Sequence, residues 1–162
     1  MQTSRGSTLK GVITISLIVV NVVFWVPILL VVALAKLLIP LAAWRRWTSA
    51  LMIWIAQAWI SCNGAIFSLM GALRLEVDGV EGLDPRSWYL VLSNHQSWVD
   101  ILVLQKAFNR RIPFLKFFLK QELIWVPFLG LAWWALDLPF LKRKKGASGG
   151  SHVDLETTRK SC

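Results

Sequence analysis

The chain has 162 residues, of which 56% are hydrophobic and 17% charged, and its formal net charge is +9. A soluble domain of this length is about 45–50% apolar and about 25% charged, so the excess of apolar residues argues against an ordinary water-soluble domain. Two histidines and two cysteines supply neither a multi-histidine metal site nor a disulfide framework. Cys62 lies inside an apolar run and reads as a buried free thiol. The positive charge sits mainly outside the apolar runs and suits anionic lipid headgroups. Nucleic acid is the other partner for such charge, but no zinc-finger spacing, helix-turn-helix pattern or aromatic RNA-binding motif supports it.

In chain order, polar and basic residues Met1 to Lys10 precede an apolar run from Gly11 to Ala35. A helix of ~24 residues is ~36 Å long and spans a bilayer with tilt. Asn21 and Pro27 interrupt this run, which a membrane helix tolerates where neighbours satisfy the freed groups. Pro40 then breaks the chain, and Trp44-Arg45-Arg46-Trp47 has the composition of a membrane–water boundary. A second apolar run, Ala50 to Leu73, is weakened by Gln57, Ser61 and Asn63. The two runs predict a helical hairpin. Arg5 and Lys10 favour a cytosolic N-terminus, whereas Lys36, Arg45 and Arg46 make the turn at least as basic. A spanning hairpin and a pair lying in the interface therefore both stay open.

From Arg74 the texture changes. Arg74 to Gly79 alternates and ends at Asp-Gly, which predicts a strand. Trp88 to Leu92 is a short apolar run and predicts a buried strand. Trp98 to Phe108 has helical spacing, with Ser97 placed as its cap. Pro113 to Lys120 predicts a strand, Gln121 to Leu136 a helix containing Pro127 and Gly130, and Leu138 to Lys142 another strand. Alternating strands and helices predict an α/β sheet. Gly146 to Ser151 has a linker composition, and Asp154 to Lys160 looks like a helix start. The predicted organisation is a membrane-anchoring hairpin over 1–73, half of an α/β domain over 74–145, and a linker with the start of a helix over 146–162.

The motif richest in chemistry is Asn94-His95-Gln96-Ser97-Trp98-Val99-Asp100, where a predicted strand gives way to a helix. Such junctions commonly hold ligand-binding groups in α/β sheets. A histidine beside a carboxylate is an activated general base, because the carboxylate holds the tautomer and stabilises the imidazolium. Five residues apart across a turn, His95 and Asp100 are able to meet; within one continuous helix they point apart. Other readings stand beside this one. Ser97-x-x-Asp100 is also the spacing of a capping box, a lone histidine is often only structural, and His152 reads as solvated. The basic cluster Lys142-Arg143-Lys144-Lys145 follows a predicted strand. An arginine there suits a bidentate phosphate contact, while Lys144 and Lys145, with Lys116 and Lys120, read as solvated or membrane-facing charge.

Taken together these residues resemble the glycerolipid acyltransferase superfamily of the bacterial 1-acyl-glycerol-3-phosphate acyltransferase type. His95 and Asp100 match its His-x4-Asp signature. Val77-Asp-Gly79, Glu81-Gly82-Leu83 and Ser93 to Ser97 resemble its lead-in, and Lys120 to Gly130 its connecting segment. Asp137-Leu-Pro-Phe140-Leu141-Lys-Arg143 resembles its second block, usually Gly-x-x-Phe-Ile-x-Arg, with Asp137 in place of the glycine. The resemblance spans Leu75 to Arg143 and is similar to the enterobacterial branch with a Trp-rich anchor. It implies a partial αβ acyltransferase domain behind the hairpin, needing no cofactor or metal. It implies acyl transfer from acyl-CoA or acyl-carrier protein to a lysophospholipid in phospholipid synthesis. His95 would be the base, Asp100 its orienting partner and Arg143 a contact for the acceptor phosphate. The expected location is the bacterial inner membrane, with the catalytic part facing the cytoplasm and no nucleic acid as partner. The family's third block, Phe-Pro-Glu-Gly-Thr-Arg, is not in these 162 residues, so the chain reads as truncated and weak in activity by itself. The alternative expectation is a catalytically inactive, membrane-anchored, lipid-binding remnant.

Overall fold

The computed structural model describes residues 3–71, 75–94, 96–145 and 151–153. Two long helices come first, α1 over Thr3–Leu38 and α2 over Ala42–Leu69. Both are long and apolar enough to cross a membrane. Their near-continuous apolar sequence favours helix because it satisfies every backbone group internally. Pro27 contributes no N–H to the ladder of α1, and the break at Ile39–Leu41 falls around Pro40. At this corner the Trp44 indole N–H donates to the Ala35 carbonyl at 3.0 Å. That carbonyl is among the last four of α1, which have no intrahelical donor. Trp44 to Trp47 thus lies in the first turns of α2, not in a connecting stretch. At the far end Gly71, at φ +61°, takes the left-handed conformation that stops α2 cheaply.

Residues separate into two compact units, Met1–Trp25 with Ile53–Leu115, and Val26–Met52 with Lys116–Cys162. In the first, α1 and α2 meet through a buried polar pair, Asn21 Nδ2 donating to Asn63 Oδ1 at 2.9 Å and to the Trp59 carbonyl at 3.3 Å. Helix α3, Trp98–Phe108, has the bounds its periodicity predicts. It is fastened to a different stripe of α2. Asn109 Nδ2 donates to Ser61 Oγ at 2.8 Å and to the Gln57 carbonyl at 3.4 Å. Lys106 Nζ donates to Ser68 Oγ at 2.8 Å, and its aliphatic stem passes over Gly64. Gln57, Ser61, Gly64 and Ser68 recur at helical spacing, so they form one small and polar face. Two of the polar residues that weaken the second apolar run, Ser61 and Asn63, are therefore its contacts with α3 and α1, while Gln57 contributes its backbone carbonyl. Cys62 is a half-buried free thiol, more open than its apolar surroundings predict.

In the second unit Val26, Leu29 and Ala33 of α1 and Thr48 and Met52 of α2 are buried. Beyond them β1, Leu119–Lys120, pairs in parallel with β2, Phe140–Leu141, with Leu119 opposite Phe140. A 3-10 turn over Gln121–Trp125 and the short helix α4, Leu129–Ala135, make the crossover between them, as a parallel pair requires. Strand β3, Arg143–Lys145, pairs antiparallel with β4, Ser151–Val153.

The described residues are thus mostly helical, and sheet is confined to two short pairs. The helical hairpin agrees with the sequence reading. The α/β character is carried mainly by the β1–α4–β2 crossover. Leu75–Asp78 and Trp88–Leu92, expected as strands, are irregular, and Trp88 is 98% exposed. The alternation of the first and the apolar run of the second suit a strand, but a strand exists only where a neighbour takes its backbone groups, and among the described residues no such neighbour pairs with them. Of Pro113 to Lys120 only the last two residues are strand. The helix expected over Gln121 to Leu136 is interrupted at Val126–Phe128, where Pro127 and the positive φ of Phe128 (61°) end one helical segment before the next begins. The helix start expected at Asp154 to Lys160 lies outside the described residues.

Candidate active site

The site is built from the N-terminus of α3. Ser97 is its extended N-cap, at φ −151° and ψ 164°, and Asp100 is the third helical residue. The Asp100 carboxylate turns back. Its Oδ2 accepts from the backbone N–H of Ser97 at 2.6 Å and from that of Gln96 at 2.6 Å, while Oδ1 lies 3.4 Å from Ser97 Oγ. The Asp100 N–H in turn donates to the Ser97 carbonyl at 3.1 Å. Ser97 and Asp100 thus form a capping box. The bond to Gln96 reaches one residue further back than a cap needs. It holds the backbone next to position 95 against a carboxylate at a helix N-terminus, where negative charge is favoured.

His95 itself lies outside the described residues. Its neighbours Asn94 and Gln96 are exposed, as are Ser97 and Trp98, and Asp100 is half-exposed, so the motif opens to the surface. In the loop before the motif, Asp84 holds a local turn. Its Oδ1 accepts from the Arg86 N–H at 2.9 Å, and its own N–H donates to the Tyr89 hydroxyl oxygen at 2.8 Å. Arg143 opens β3 in the second unit, with its backbone in register with Val153. Lys116 and Lys120 are exposed, as expected for solvated or lipid-facing charge, and so is Lys142. Among the described residues no group of three or more His, Cys, Asp and Glu is arranged to hold a metal ion.

Chemically, a carboxylate offers about four acceptor positions. Two backbone donors on Oδ2 are compatible with a third from an imidazole N–H. Sequence reasoning missed Asn109 and Lys106, which anchor the helix carrying Asp100 to α2. Their signal was the Ser61, Gly64 and Ser68 spacing inside an otherwise apolar run.

The family model described as "Acyltransferase" matches residues 74–161, a little over half of the chain, and includes His95, Asp100 and Arg143. The chain belongs to this acyltransferase family. It is 36% identical over 74 residues to proteins named 1-acyl-sn-glycerol-3-phosphate acyltransferase alpha from Mus musculus, Homo sapiens and Bos taurus. That stretch is 45% of this chain and 24–25% of each relative, so the match spans about a quarter of their length. No solved structure matches. Two apolar helices beside this domain fit a membrane-associated acyltransferase.

Proposed function

We propose that the chain transfers an acyl group from a thioester, acyl-CoA or acyl-carrier protein, to the free hydroxyl of a lysophospholipid such as 1-acyl-glycerol-3-phosphate. The reading extends to phospholipid synthesis at the cytoplasmic face of a bacterial inner membrane. Residues 1–73 would anchor, 74–145 would carry the chemistry, and 146–162 would form a flexible linker and the start of a helix. The observation that carries the reading is the Asp100 carboxylate, drawn back onto the Gln96 and Ser97 N–H groups within the His-x4-Asp motif. The family match and the names of the relatives support the same chemistry.

In this reading His95 takes the proton of the acceptor hydroxyl as its oxygen attacks the thioester carbonyl. The new carbon–oxygen bond forms, the carbon–sulfur bond breaks, and the proton passes from the imidazolium to the departing thiolate. Asp100 orients the imidazole and stabilises its protonated form. Arg143 offers a guanidinium fork to the acceptor phosphate. The bilayer supplies the lipid acceptor, and the exposed Lys116, Lys120 and Lys142 suit anionic headgroups.

The test is transfer of labelled acyl groups in membranes carrying the chain and, alongside, a longer form that includes a Phe-Pro-Glu-Gly-Thr-Arg block, with His95→Ala and Asp100→Asn made in the longer form. General-base catalysis contributes roughly 10²–10⁴-fold, so both variants should lose turnover on that scale at near-normal membrane yield. Retained activity in Asp100→Asn with loss in His95→Ala would leave Asp100 as a helix cap only. Absence of turnover in the longer form as well would favour the second reading, a membrane-anchored lipid-binding protein without catalysis.

A further inference from the structure

Helix α4 is apolar on both sides, but its large residues are on the wrong side for water. Gly130, Ala132 and Ala135 are buried, whereas the N-cap Phe128 and helical Leu131 and Trp134 are exposed. Small residues inside are explained by close packing. A Cβ at Gly130 would run into the backbone of Ile124, so the 3-10 turn sits directly on the helix. The outward side has no such account within the fold. Trp125, Phe128, Leu131 and Trp134 recur at every third position and are each 52–84% exposed. The same spacing continues to Glu122 on one side and Asp137 on the other, both exposed, so carboxylates bracket the apolar stripe.

We propose that this stripe is a membrane-contacting surface, with Trp125, Phe128, Leu131 and Trp134 entering the headgroup–acyl boundary of a bilayer. Four observations favour lipid over a protein partner. The stripe is rich in tryptophan, whose amphipathic ring prefers that boundary. Exposed Lys116 and Lys120 precede it and exposed Lys142 follows it, a cationic fringe suited to anionic headgroups. The same compact unit contains the Val26–Leu38 end of the bilayer-length helix α1. Within that unit Asp137, three residues beyond Trp134, lies 3.8 Å from Lys36 Nζ in the last turn of α1. The stripe is therefore fastened beside the end of an apolar helix, where a bilayer surface lies if that helix enters a membrane. An interfacial segment of this kind binds through buried apolar area plus attraction to anionic lipid. It would hold the β1–β2 region against the surface from which a lipid acceptor is drawn.

This inference rests on α1 and α2 inserting into the bilayer and not on the catalytic reading. Resistance of the chain to alkaline extraction tests that insertion separately. The stripe is tested in vesicles of mixed phosphatidylcholine and phosphatidylglycerol. In a Cys62→Ser, Cys162→Ser background, Leu131→Cys and Trp134→Cys each carry an environment-sensitive fluorophore. Glu81→Cys, in an exposed loop, is the aqueous reference. The expected result is blue-shifted emission at both stripe positions, loss of fluorescence with headgroup-depth spin-labelled lipids, and protection from aqueous iodide. Iodide quenching equal to that at Glu81→Cys overturns the proposal. So does protection from both quenchers, which would mean that a second copy or another protein covers the stripe. Photolabelling of the unaltered chain by a lipid-borne diazirine gives an answer that no misfolded variant can obscure. Labelling within residues 125–134 is expected, and labelling confined to α1 and α2 refutes the stripe.

Discussion

The buried Asn21–Asn63 bond makes a quantitative prediction for the hairpin. Asn21→Leu removes a 2.9 Å bond to Asn63 Oδ1 and a 3.3 Å bond to the Trp59 carbonyl. It leaves the Asn63 amide buried, at 5% exposure, without this donor. An orphaned buried polar group costs about 1–3 kcal/mol in a water-based reference state. In membranes the unfolded helices find other partners, and measured interhelical bonds average about 0.6 kcal/mol with a maximum near about 1.7. The expected cost of Asn21→Leu is therefore about 1–2 kcal/mol. Asn63→Leu should cost less, because Asn21 Nδ2 retains the Trp59 carbonyl. The double variant should be close to neutral, since replacing both partners with apolar groups strands neither. Equilibrium unfolding in mixed micelles of increasing denaturing-detergent fraction measures all four corners of the cycle. Additive costs, with the double variant as unstable as the sum of the singles, would show that the pair does not hold the helices together.

Other consequences follow from the same packing. Asn109→Ala removes the bonds to Ser61 and Gln57; it should cost about 1 kcal/mol and raise hydrogen exchange selectively in α3. Gly130→Ala sets a methyl group into the Ile124 backbone, and overpacking of this kind costs about 1–3 kcal/mol. Faster proteolysis between β1 and β2 is its expected signature, and unchanged resistance would mean that the 3-10 turn does not sit on α4. Asp100→Ala removes the acceptor of two backbone N–H groups and should cost about 1–2 kcal/mol, more than Asp100→Asn; thermal denaturation in detergent ranks the two. Finally, α1 and α2 should keep the chain in the membrane pellet through high-salt and alkaline washing. Release by salt alone would mean that charge holds it there.

Much of the architecture was legible in the linear order of residues because its causes are local. Apolar runs of bilayer length, the Pro40 break and the 3.6-residue periodicity after Ser97 act within a few turns; α3 has its predicted bounds, while α1 and α2 lie on the apolar runs but begin before them. The His-x4-Asp motif was equally visible, and the family match spans it. Strands were read less well for a physical reason. Alternation at Leu75–Asp78 and the apolar run at Trp88–Leu92 describe a chain able to pair, but pairing belongs to two segments at once, and only β1 with β2 and β3 with β4 find each other among the described residues. The long-range contacts were likewise decided by tertiary structure. Nothing local says that Asn63 faces α1 while Ser61, two residues earlier, faces α3 through Asn109; that follows from which helices flank α2. Local spacing left a capping role for Asp100 and a functional one equally available. The folded turn supplies the bond from the Gln96 N–H that joins the cap to the residue following His95. Composition determined that α4 is apolar, and only packing decided that its small residues face inward and Trp134 outward, because the 3-10 turn lies too close to Gly130 to admit even one methyl group.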